Sequence, residues 1–351
     1  MKRCFILILA AALCLSGCGK QEKEASAQIF AMDTVMEIAA FGPQAEEAVS
    51  ETESQIQELE KQLSRTLPDS DVSRINRNGT TPTTGIAAGT WALLEAALEY
   101  RDATDGAFDI TIAPVMDAWG FTGDSFRVPE QAELDALLRR VSSGEIQMQA
   151  ESTESVALGE GQAIDLGGIA KGYTSDLVEQ TFRANGVESG KISLGGNVFV
   201  LGTKPDGSDW RVGIKDPRNE SGLAAILSLR DAYAITSGGY ERYFEENGKT
   251  YHHIIDPSTG YPADSGLLSV TVVAADNGPD WAGAGNGAMC DAFSTALFIM
   301  GEEQALDFWR NGGYDFDLVL VTEDGRVVIT AGLADRLEEV KDSGYTYETV
   351  S

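Results

Sequence analysis

The sequence predicts an α+β fold, with antiparallel sheets flanked by helices in a single large domain over residues 29–351. Strand-like runs follow one another in groups, and helical stretches lie between these groups rather than after every strand. A doubly wound parallel sheet would instead need regular alternation of strand and helix. Neither a proline-rich linker nor a repeat with a period of roughly 20 to 50 residues divides this region, so no internal domain boundary is expected.

Helical periodicity is clearest in the first half of the chain. Apolar residues spaced three and four apart predict helices over residues 44–63, 91–100 and 129–141. In the first of these, Val49 and Ile56 belong to one apolar stripe on an otherwise polar surface. We therefore expect this helix to pack its stripe against a core and to leave the opposite face in water.

Strand-like runs, rich in β-branched and aromatic residues, dominate the second half of the chain. They cover residues 191–201, 210–214, 224–236, 267–274, 316–322 and 326–330. The dipeptide Asp324-Gly325 separates the last two runs and favours a tight hairpin turn. We therefore expect these two strands to be antiparallel neighbours.

The N-terminus has the features of an export signal. Residues 1–17 combine a basic start with a short apolar run and small residues, which predicts a signal peptide rather than a membrane-spanning helix. Leu15-Ser16-Gly17-Cys18 resembles the lipobox of bacterial lipoproteins, in which Cys18 would be diacylated after cleavage. Residues 18–28 would then be a flexible tether, and the protein would be lipid-anchored on the extracytoplasmic face of the cell membrane. An ordinary secreted protein that is cleaved nearby is the alternative.

Composition restricts the possible partners. Removal of residues 1–17 changes the formal charge from −29 to −31, because Lys2 and Arg3 leave with the signal. So acidic a surface repels nucleic acid, and we expect no nucleic-acid partner.

Of the four cysteines, only Cys290 lies beyond the predicted tether, so no intramolecular disulfide is expected in residues 29–351.

The chain has only two histidines, His252 and His253, and both precede the turn-forming sequence 256–260. Asp-Pro-Ser-Thr-Gly fixes a tight turn through its side chains, its proline and its glycine. All ordinary acid–base capacity near neutral pH is therefore concentrated at one place, which makes this a candidate catalytic segment. A half-buried histidine pair at a hairpin corner is the alternative interpretation.

Two further segments carry groups that suit a phosphate and a metal. Gly167 and Gly168 precede a predicted helix with Lys171 in its first turn, which is a plausible diphosphate cradle, although a capped helix with a surface lysine fits equally well. Asp291 and Thr295 lie four residues apart and would share one helical face. Such an oxygen pair suits Mg²⁺, unless Asp291 only caps the helix and Thr295 only packs.

A third segment, residues 105–121, joins carboxylates to aromatic side chains. Backbone groups at Ala107 and Phe108 would line a flat heteroaromatic ligand, although core packing explains any single aromatic residue equally well. Residues 193–197 form a glycine-interrupted strand, which indicates that something approaches the backbone closely.

Together these motifs resemble the ApbE-type flavin transferases, the FAD:protein FMN transferases. The resemblance implies the T-fold-like architecture of that family for nearly the whole of residues 29–351, and it assigns His253 as the catalytic base. The motifs that carry it are residues 31–34, 68–76, 105–120, 165–172, 194–197, 236–240, 253–260 and 291–296. The flavin contacts that it implies are Met32, Thr66, Ala107, Phe108, Asp109, Asp165, Lys171 and Ile255. Its implied magnesium ligands are Gly168, through the backbone, and Asp291, Ser294 and Thr295.

The reaction implied by the resemblance is the transfer of FMN from FAD to a threonine hydroxyl of a client protein, with release of AMP. Clients would carry a Ser/Asp-Gly-x-Thr acceptor and would include membrane electron-transfer subunits. Mg²⁺ would be the cofactor and FAD the substrate.

Two departures from the family pattern keep alternatives open. Thr66 stands where family members commonly carry an aromatic residue that covers the ligand, so FAD would be more exposed to water. Water as nucleophile would make the protein an FAD pyrophosphatase that gives FMN and AMP. Residues 276–287 also form a longer glycine-rich loop than usual, which we interpret as a tolerated surface insertion rather than a lid. A non-catalytic flavin-binding lipoprotein is a third reading.

Overall fold

A computed structural model of the chain describes residues 23–123, 125–150, 153–278 and 283–351. The predicted signal peptide, Cys18 and the first part of the predicted tether lie outside these ranges. The helices are α1 Ala45–Leu63, α2 Asp71–Asn78, α3 Ala88–Ala103, α4 Ala113–Trp119, α5 Gln131–Leu138, α6 Ala170–Ala184 and α7 Asn286–Asn311. The strands are β1 Glu24–Ala31, β2 Thr34–Phe41, β3 Thr83–Thr84, β4 Gln147–Gln149, β5 Ser155–Ala157, β6 Ser189–Leu194, β7 Asn197–Leu201, β8 Trp210–Asp216, β9 Asn219–Leu229, β10 Ala232–Gly238, β11 Tyr243–Glu246, β12 Lys249–His252, β13 Leu267–Ala275, β14 Asp317–Thr322, β15 Arg326–Thr330, β16 Leu337–Glu339 and β17 Thr346–Val350.

A nine-stranded sheet organises the fold, in the order β1-β2-β6-β7-β10-β13-β14-β15-β17. All its neighbouring strands are antiparallel except β15 and β17, which run parallel. Three small sheets accompany it: β16-β9-β8, β3-β5-β4 and the hairpin β11-β12. The predicted α+β class with antiparallel sheets and flanking helices is confirmed, as is the hairpin of β14 and β15 around Asp324-Gly325.

Each face of the large sheet buries apolar side chains against a different layer. Helices α1, α6 and α7 contact one face. The second face packs against the sheet that contains β8 and β9, where Val200 and Ala234 join a separate apolar cluster. Strand β10 supplies both layers, because Tyr233 and Ile235 point towards the helices while Ala232 and Ala234 point the other way.

The predicted helices are present at nearly the expected positions as α1, α3 and α5. The apolar stripe predicted for α1 is buried, since Val49 and Ile56 are at most 5% exposed. Two predicted strands were wrong as single strands. Residues 191–201 form the hairpin β6–β7, because Gly195 and Gly196 both have positive φ, and residues 224–236 are divided between β9 and β10 at Asp231, which also has positive φ.

Part of the predicted tether is a strand. Residues 24–28, expected to be flexible, belong to β1 and pair with β2 along its whole length. The reason is a period of two that is easily missed in a polar segment: Ala25, Ala27 and Ile29 pack against the core while their neighbours face water. Within the described ranges, no helix is long and apolar enough to cross a membrane.

Helices α6 and α7 approach each other unusually closely, and this contact fixes the start of α7. A side chain on Gly172 would come within 2.1 Å of the Gly287 carbonyl oxygen, so only glycine fits there. The buried carboxylate of Asp176 then accepts hydrogen bonds from the backbone N–H groups of Gly285, Gly287 and Ala288. Asp176 therefore caps α7 from the neighbouring helix.

The loop over residues 276–287 is anchored at both ends. The Asn277 side chain donates to Asp176 at 3.0 Å and to Glu179 at 2.9 Å, and Gly285 is held by the same Asp176. Residues 279–282 lie outside the described part of the chain. That this loop is a tolerated surface insertion rather than a lid stays a prediction.

Candidate active site

A cavity of about 540 Å³ opens where the ends of the central strands meet the first turn of α6 and the side of α7 that carries Asp291 and Thr295. Every residue that the sequence analysis proposed as a contact lines it except Ser294. They are Met32, Thr66, Ala107, Phe108, Asp109, Asp165, Gly168, Lys171, His253, Ile255, Asp291 and Thr295. Ser294 is buried just behind the wall, where its hydroxyl lies 2.8 Å from the Ser237 hydroxyl. Segments more than 250 residues apart in sequence are thus brought to one site.

The start of α6 gives the cavity groups that suit a phosphate. The Asp165 carboxylate accepts the Gly167 N–H at 2.8 Å, which turns the chain into α6. Lys171 follows in the first turn, and its ammonium group donates to the Gly167 carbonyl at 3.3 Å. Backbone N–H groups and a cation therefore converge at one helix start, which is the arrangement that attracts phosphate groups.

Oxygen atoms from three elements lie together beside this cradle. One oxygen of Asp291 accepts the Gly172 N–H at 2.8 Å, and the Ser237 hydroxyl lies 3.2 Å from the Thr295 hydroxyl. A side chain on Gly168 would be only 3.7 Å from the same Thr295 oxygen, so the backbone of Gly168 also lies close. The set contains one carboxylate, hydroxyls and a carbonyl, which suits a hard cation that keeps water or ligand oxygens.

Asp291 is not the cap of its helix. Helix α7 begins at Asn286, five residues before Asp291, and its cap comes from Asp176. The second oxygen of Asp291 accepts no hydrogen bond from any residue that the structure describes. No cluster of three or more His, Cys, Asp or Glu side chains able to hold a metal occurs in the described ranges, so a cation here needs ligand oxygens to complete its shell.

The segment 105–121 offers its backbone groups to the cavity, while the carboxylate of Asp109 is used inside the fold. Asp109 turns its carboxylate inward, where it accepts hydrogen bonds from Thr111 and from the Ser143 N–H. Phe108 is buried and would lie 3.2 Å from a side chain on Gly168, so the two predicted contacts form one wall. Asp109 can therefore meet a ligand only through its backbone or after it has released these partners.

The two histidines have different surroundings. Both ring nitrogens of His252 are used: one lies 3.1 Å from the Ala263 carbonyl, and Nδ1 accepts the Ile254 N–H at 3.3 Å. His253 lines the cavity, and its Nδ1 lies 3.2 Å from the Arg242 carbonyl. A carbonyl can only accept, so Nδ1 of His253 carries the proton and Nε2 is left as a free base, with no partner among the described residues.

Charge and burial keep His253 neutral. Burial, followed by the neighbouring Lys171 ammonium, lowers the pKa of His253 to about 4. Burial also lowers the pKa of His252. The histidine that lines the cavity is thus a proton acceptor at neutral pH, as a general base must be.

Three cavity residues escaped the sequence analysis. Arg65 lies between two carboxylates, the Asn197 amide nitrogen is buried with no partner in the described ranges, and Ser237 bridges towards Thr295. Asn197 and Ser237 stand in motifs that the family resemblance included without giving them a role. Arg65 precedes the anomalous Thr66, and both residues line the cavity.

The fold and the cavity define a mixed α+β enzyme whose site combines a lysine at a helix start, an oxygen-rich wall and one neutral histidine. The ApbE family model matches residues 32–318, and the chain belongs to the ApbE family. Among curated relatives, the FAD:protein FMN transferase of Klebsiella pneumoniae is 34% identical, over 83% of this chain and 86% of its own. The FAD:protein FMN transferase of Treponema pallidum is 32% identical over 86% and 84%.

Solved structures agree with this assignment. The crystal structure of the ApbE protein from Thermotoga maritima matches with a TM-score of 0.78 and 30% identity, covering 91% of this chain and 97% of that one. The apo flavinyl transferase ApbE from Pseudomonas stutzeri matches with a TM-score of 0.74 and 30% identity, covering 87% and 92%. The predicted family and fold are confirmed.

Proposed function

We propose that this protein transfers FMN from FAD to a threonine hydroxyl of a client protein and releases AMP. The observation that carries this proposal is the free Nε2 of His253 in the same cavity as Lys171, Asp291 and Thr295. Phosphoryl transfer depends on positioning and charge compensation rather than on a covalent protein intermediate, and the cavity offers groups for both.

The chain's own residues perform the proton transfer and the positioning. His253 Nε2 takes the proton of the threonine hydroxyl, whose oxygen forms a new bond to the FMN phosphorus. The bond from that phosphorus to the bridging oxygen breaks, and AMP leaves with that oxygen. Such a base typically contributes ~10²- to 10⁴-fold. The Arg242 carbonyl holds the imidazole in the required tautomer.

A divalent cation fits the oxygen-rich wall. Asp291, Thr295 and the Gly168 carbonyl would hold it, with Ser294 behind them, and Mg²⁺ is the cation that we propose. When bound, Mg²⁺ would neutralise negative charge on the diphosphate, which matters in a chain with a net charge of −29.

The predicted flavin contacts form the rest of the cavity wall. Met32, Ala107, Phe108 and Ile255 offer apolar surface and backbone groups to a flat ring system, while Asp165 and Lys171 stand at the phosphate end. Their convergence on one cavity supports FAD as the substrate, and Thr66 belongs to the same wall.

The clients and the location belong to the same proposal. A lipid on Cys18 would hold the protein at the extracytoplasmic face of the membrane, where electron-transfer subunits with a Ser/Asp-Gly-x-Thr acceptor would be modified. Support comes from the sequence before β1 and from the acidic surface, which leaves an acyl chain as the membrane attachment.

The test is incubation of the detergent-purified full chain with FAD, Mg²⁺ and an acceptor domain, followed by intact mass measurement. We expect the acceptor to gain the mass of one FMN, and EDTA to abolish the gain. Free FMN and AMP with an unmodified acceptor would replace the transferase with a pyrophosphatase. Intact bound FAD would leave a flavin carrier.

The neighbouring histidines provide a matched pair of variants. His253→Ala should lower transfer by ~10²-fold or more while FAD still binds, because it removes the base. His252→Ala removes an imidazole that contacts the Ala263 carbonyl and Phe298 outside the cavity, so its rate should change much less. Near wild-type transfer by His253→Ala would remove this residue from the mechanism.

A further inference from the structure

Arg65 lies in the cavity wall but has no role in the FMN transfer proposed above. It follows α1 in the loop that leads to α2, and its side chain is 17% exposed and lines the cavity. The loop beneath it is ordered, because the Ser73 hydroxyl donates to the Arg65 carbonyl at 2.8 Å and the Ser70 hydroxyl donates to the Ser64 carbonyl. Its backbone is therefore fixed before any ligand binds.

The guanidinium group is held at its edge by two carboxylates. One terminal nitrogen donates to Asp117 at 2.8 Å, and the other donates to Asp165 at 3.3 Å. Hydrogen bonds to a guanidinium lie in its plane, so these two contacts orient the plane, and no aromatic side chain among the described residues lies over it. A flat cationic surface of this kind stacks on aromatic rings.

Thr66, the neighbouring residue, offers no such surface. Its hydroxyl lies 3.0 Å from the Ser64 hydroxyl and is thus used inside the loop. Between these two adjacent cavity residues, only Arg65 presents a plane.

We propose that Arg65 is the stacking platform for a planar ring of FAD, and that Asp117 and Asp165 are the residues that orient it. This inference rests on the proposed use of FAD. In this proposal FAD is retained by the flat surface of the Arg65 guanidinium rather than by its charge. Asp117 acts through Arg65, because it does not itself line the cavity.

Charge attraction to the diphosphate is the competing explanation, and lysine separates the two. Arg65→Lys keeps the positive charge and one ion pair but loses the plane, whereas Arg65→Ala loses both. Arg77→Lys is the matched control, because Arg77 is an exposed arginine of α2 whose side chain donates to the Pro68 carbonyl outside the cavity.

The measurement is the dissociation constant of FAD, read from flavin fluorescence without any acceptor. We expect Arg65→Lys and Arg65→Ala to weaken FAD binding by similar factors, on the order of tenfold. Arg77→Lys should leave it unchanged. Competition by FMN and by ADP then identifies the stacked ring, since only the fragment that carries it should lose affinity in Arg65→Lys.

A second variant distinguishes weaker FAD binding from loss of folding. Asp117→Asn leaves Arg65 in place and weakens one of its two anchors on a half-exposed side chain, so the fold should tolerate it. FAD binding should weaken by a smaller factor than in Arg65→Lys, with unchanged thermal unfolding.

Wild-type FAD affinity in Arg65→Lys, with weakened binding only in Arg65→Ala, would show that charge is what matters and would overturn the proposal. A wild-type protein that binds FAD but transfers nothing would contradict the proposed function alone, because stacking is measured without transfer. Failure of the wild type to bind FAD would overturn both.

Discussion

Two adjacent histidines have different roles because their ring nitrogens meet different partners. In His252 both nitrogens are bound within the fold, whereas in His253 only Nδ1 is bound and Nε2 stays free at the cavity. The family resemblance predicted that His253 would be the catalytic base. The geometry agrees on placement, and the chemical role of His253 is the part that kinetics must test.

The lowered pKa of His253 predicts an unusual pH dependence. A base acts only when unprotonated, so transfer should fall as the pH drops through the pKa of His253, which is about 4 in the free protein. The acidic limb of kcat/KM should therefore lie well below pH 6.5, the ordinary histidine value. A profile between pH 4 and 8 at fixed salt checks this, and a midpoint near 6.5 would contradict the buried, neutral imidazole.

The surroundings of Cys290 make its thiol unreactive. It is the free thiol of α7, it is fully buried, and burial raises its pKa well above the ordinary value. The native protein should therefore leave Cys290 unmodified by iodoacetamide at pH 8, while the protein in urea should react fully. Mass measurement of the peptide that contains Cys290 is the readout, and rapid native labelling would show that the helix opens.

At the scale of elements, the pairing of α6 with α7 determines where the proposed cation ligands stand. Asp176 receives three backbone N–H groups of α7, and burial raises its pKa to about 6 despite these bonds. The contact between Gly172 and Gly287 sets how closely the two helices approach. The predicted phosphate cradle and the predicted metal ligands therefore belong to one rigid unit.

Asp176→Ala should reduce the free energy of unfolding by about 2–4 kcal/mol, since it removes a helix cap and leaves several buried donors without an acceptor. Urea unfolding is the measurement. Asp335→Ala, at an exposed position, is the control and should change stability by less than about 0.5 kcal/mol. Equal effects of the two substitutions would mean that α7 does not depend on this cap.

Across the whole molecule, the sequence predicted what local pattern determines and missed what the tertiary fold determines. Helix α1 and the hairpin of β14 and β15 follow from periodicity and turn chemistry, and both are present. The proposed contact residues lie in recognisable motifs, and all of them except Ser294 line one cavity. Arg65 was missed because the direction of its side chain depends on two distant carboxylates, Asp117 and Asp165, that no local rule connects to it.

The same limit explains the errors in the strands. Residues 191–201 have the pattern of one strand with two central glycines, and only the pairing of β6 with β7 shows that the glycines form a turn. Residues 24–28 looked polar enough for a tether, yet β2 provides a complete set of backbone partners. Sheet registry is a property of two segments and cannot be obtained from either alone.

The order of the large sheet places β1 and β17, the first and last strands in the described ranges, at its opposite edges. With neighbouring strands ~4.8 Å apart, β1 and β17 are separated by a distance on the order of 40 Å. A short peptide could not join the two ends, so circular permutation through a brief linker should fail in this scaffold, whereas fluorophores placed at the two edges would be well spaced for energy transfer. Such a pair would report the assembly of the complete sheet in a single distance.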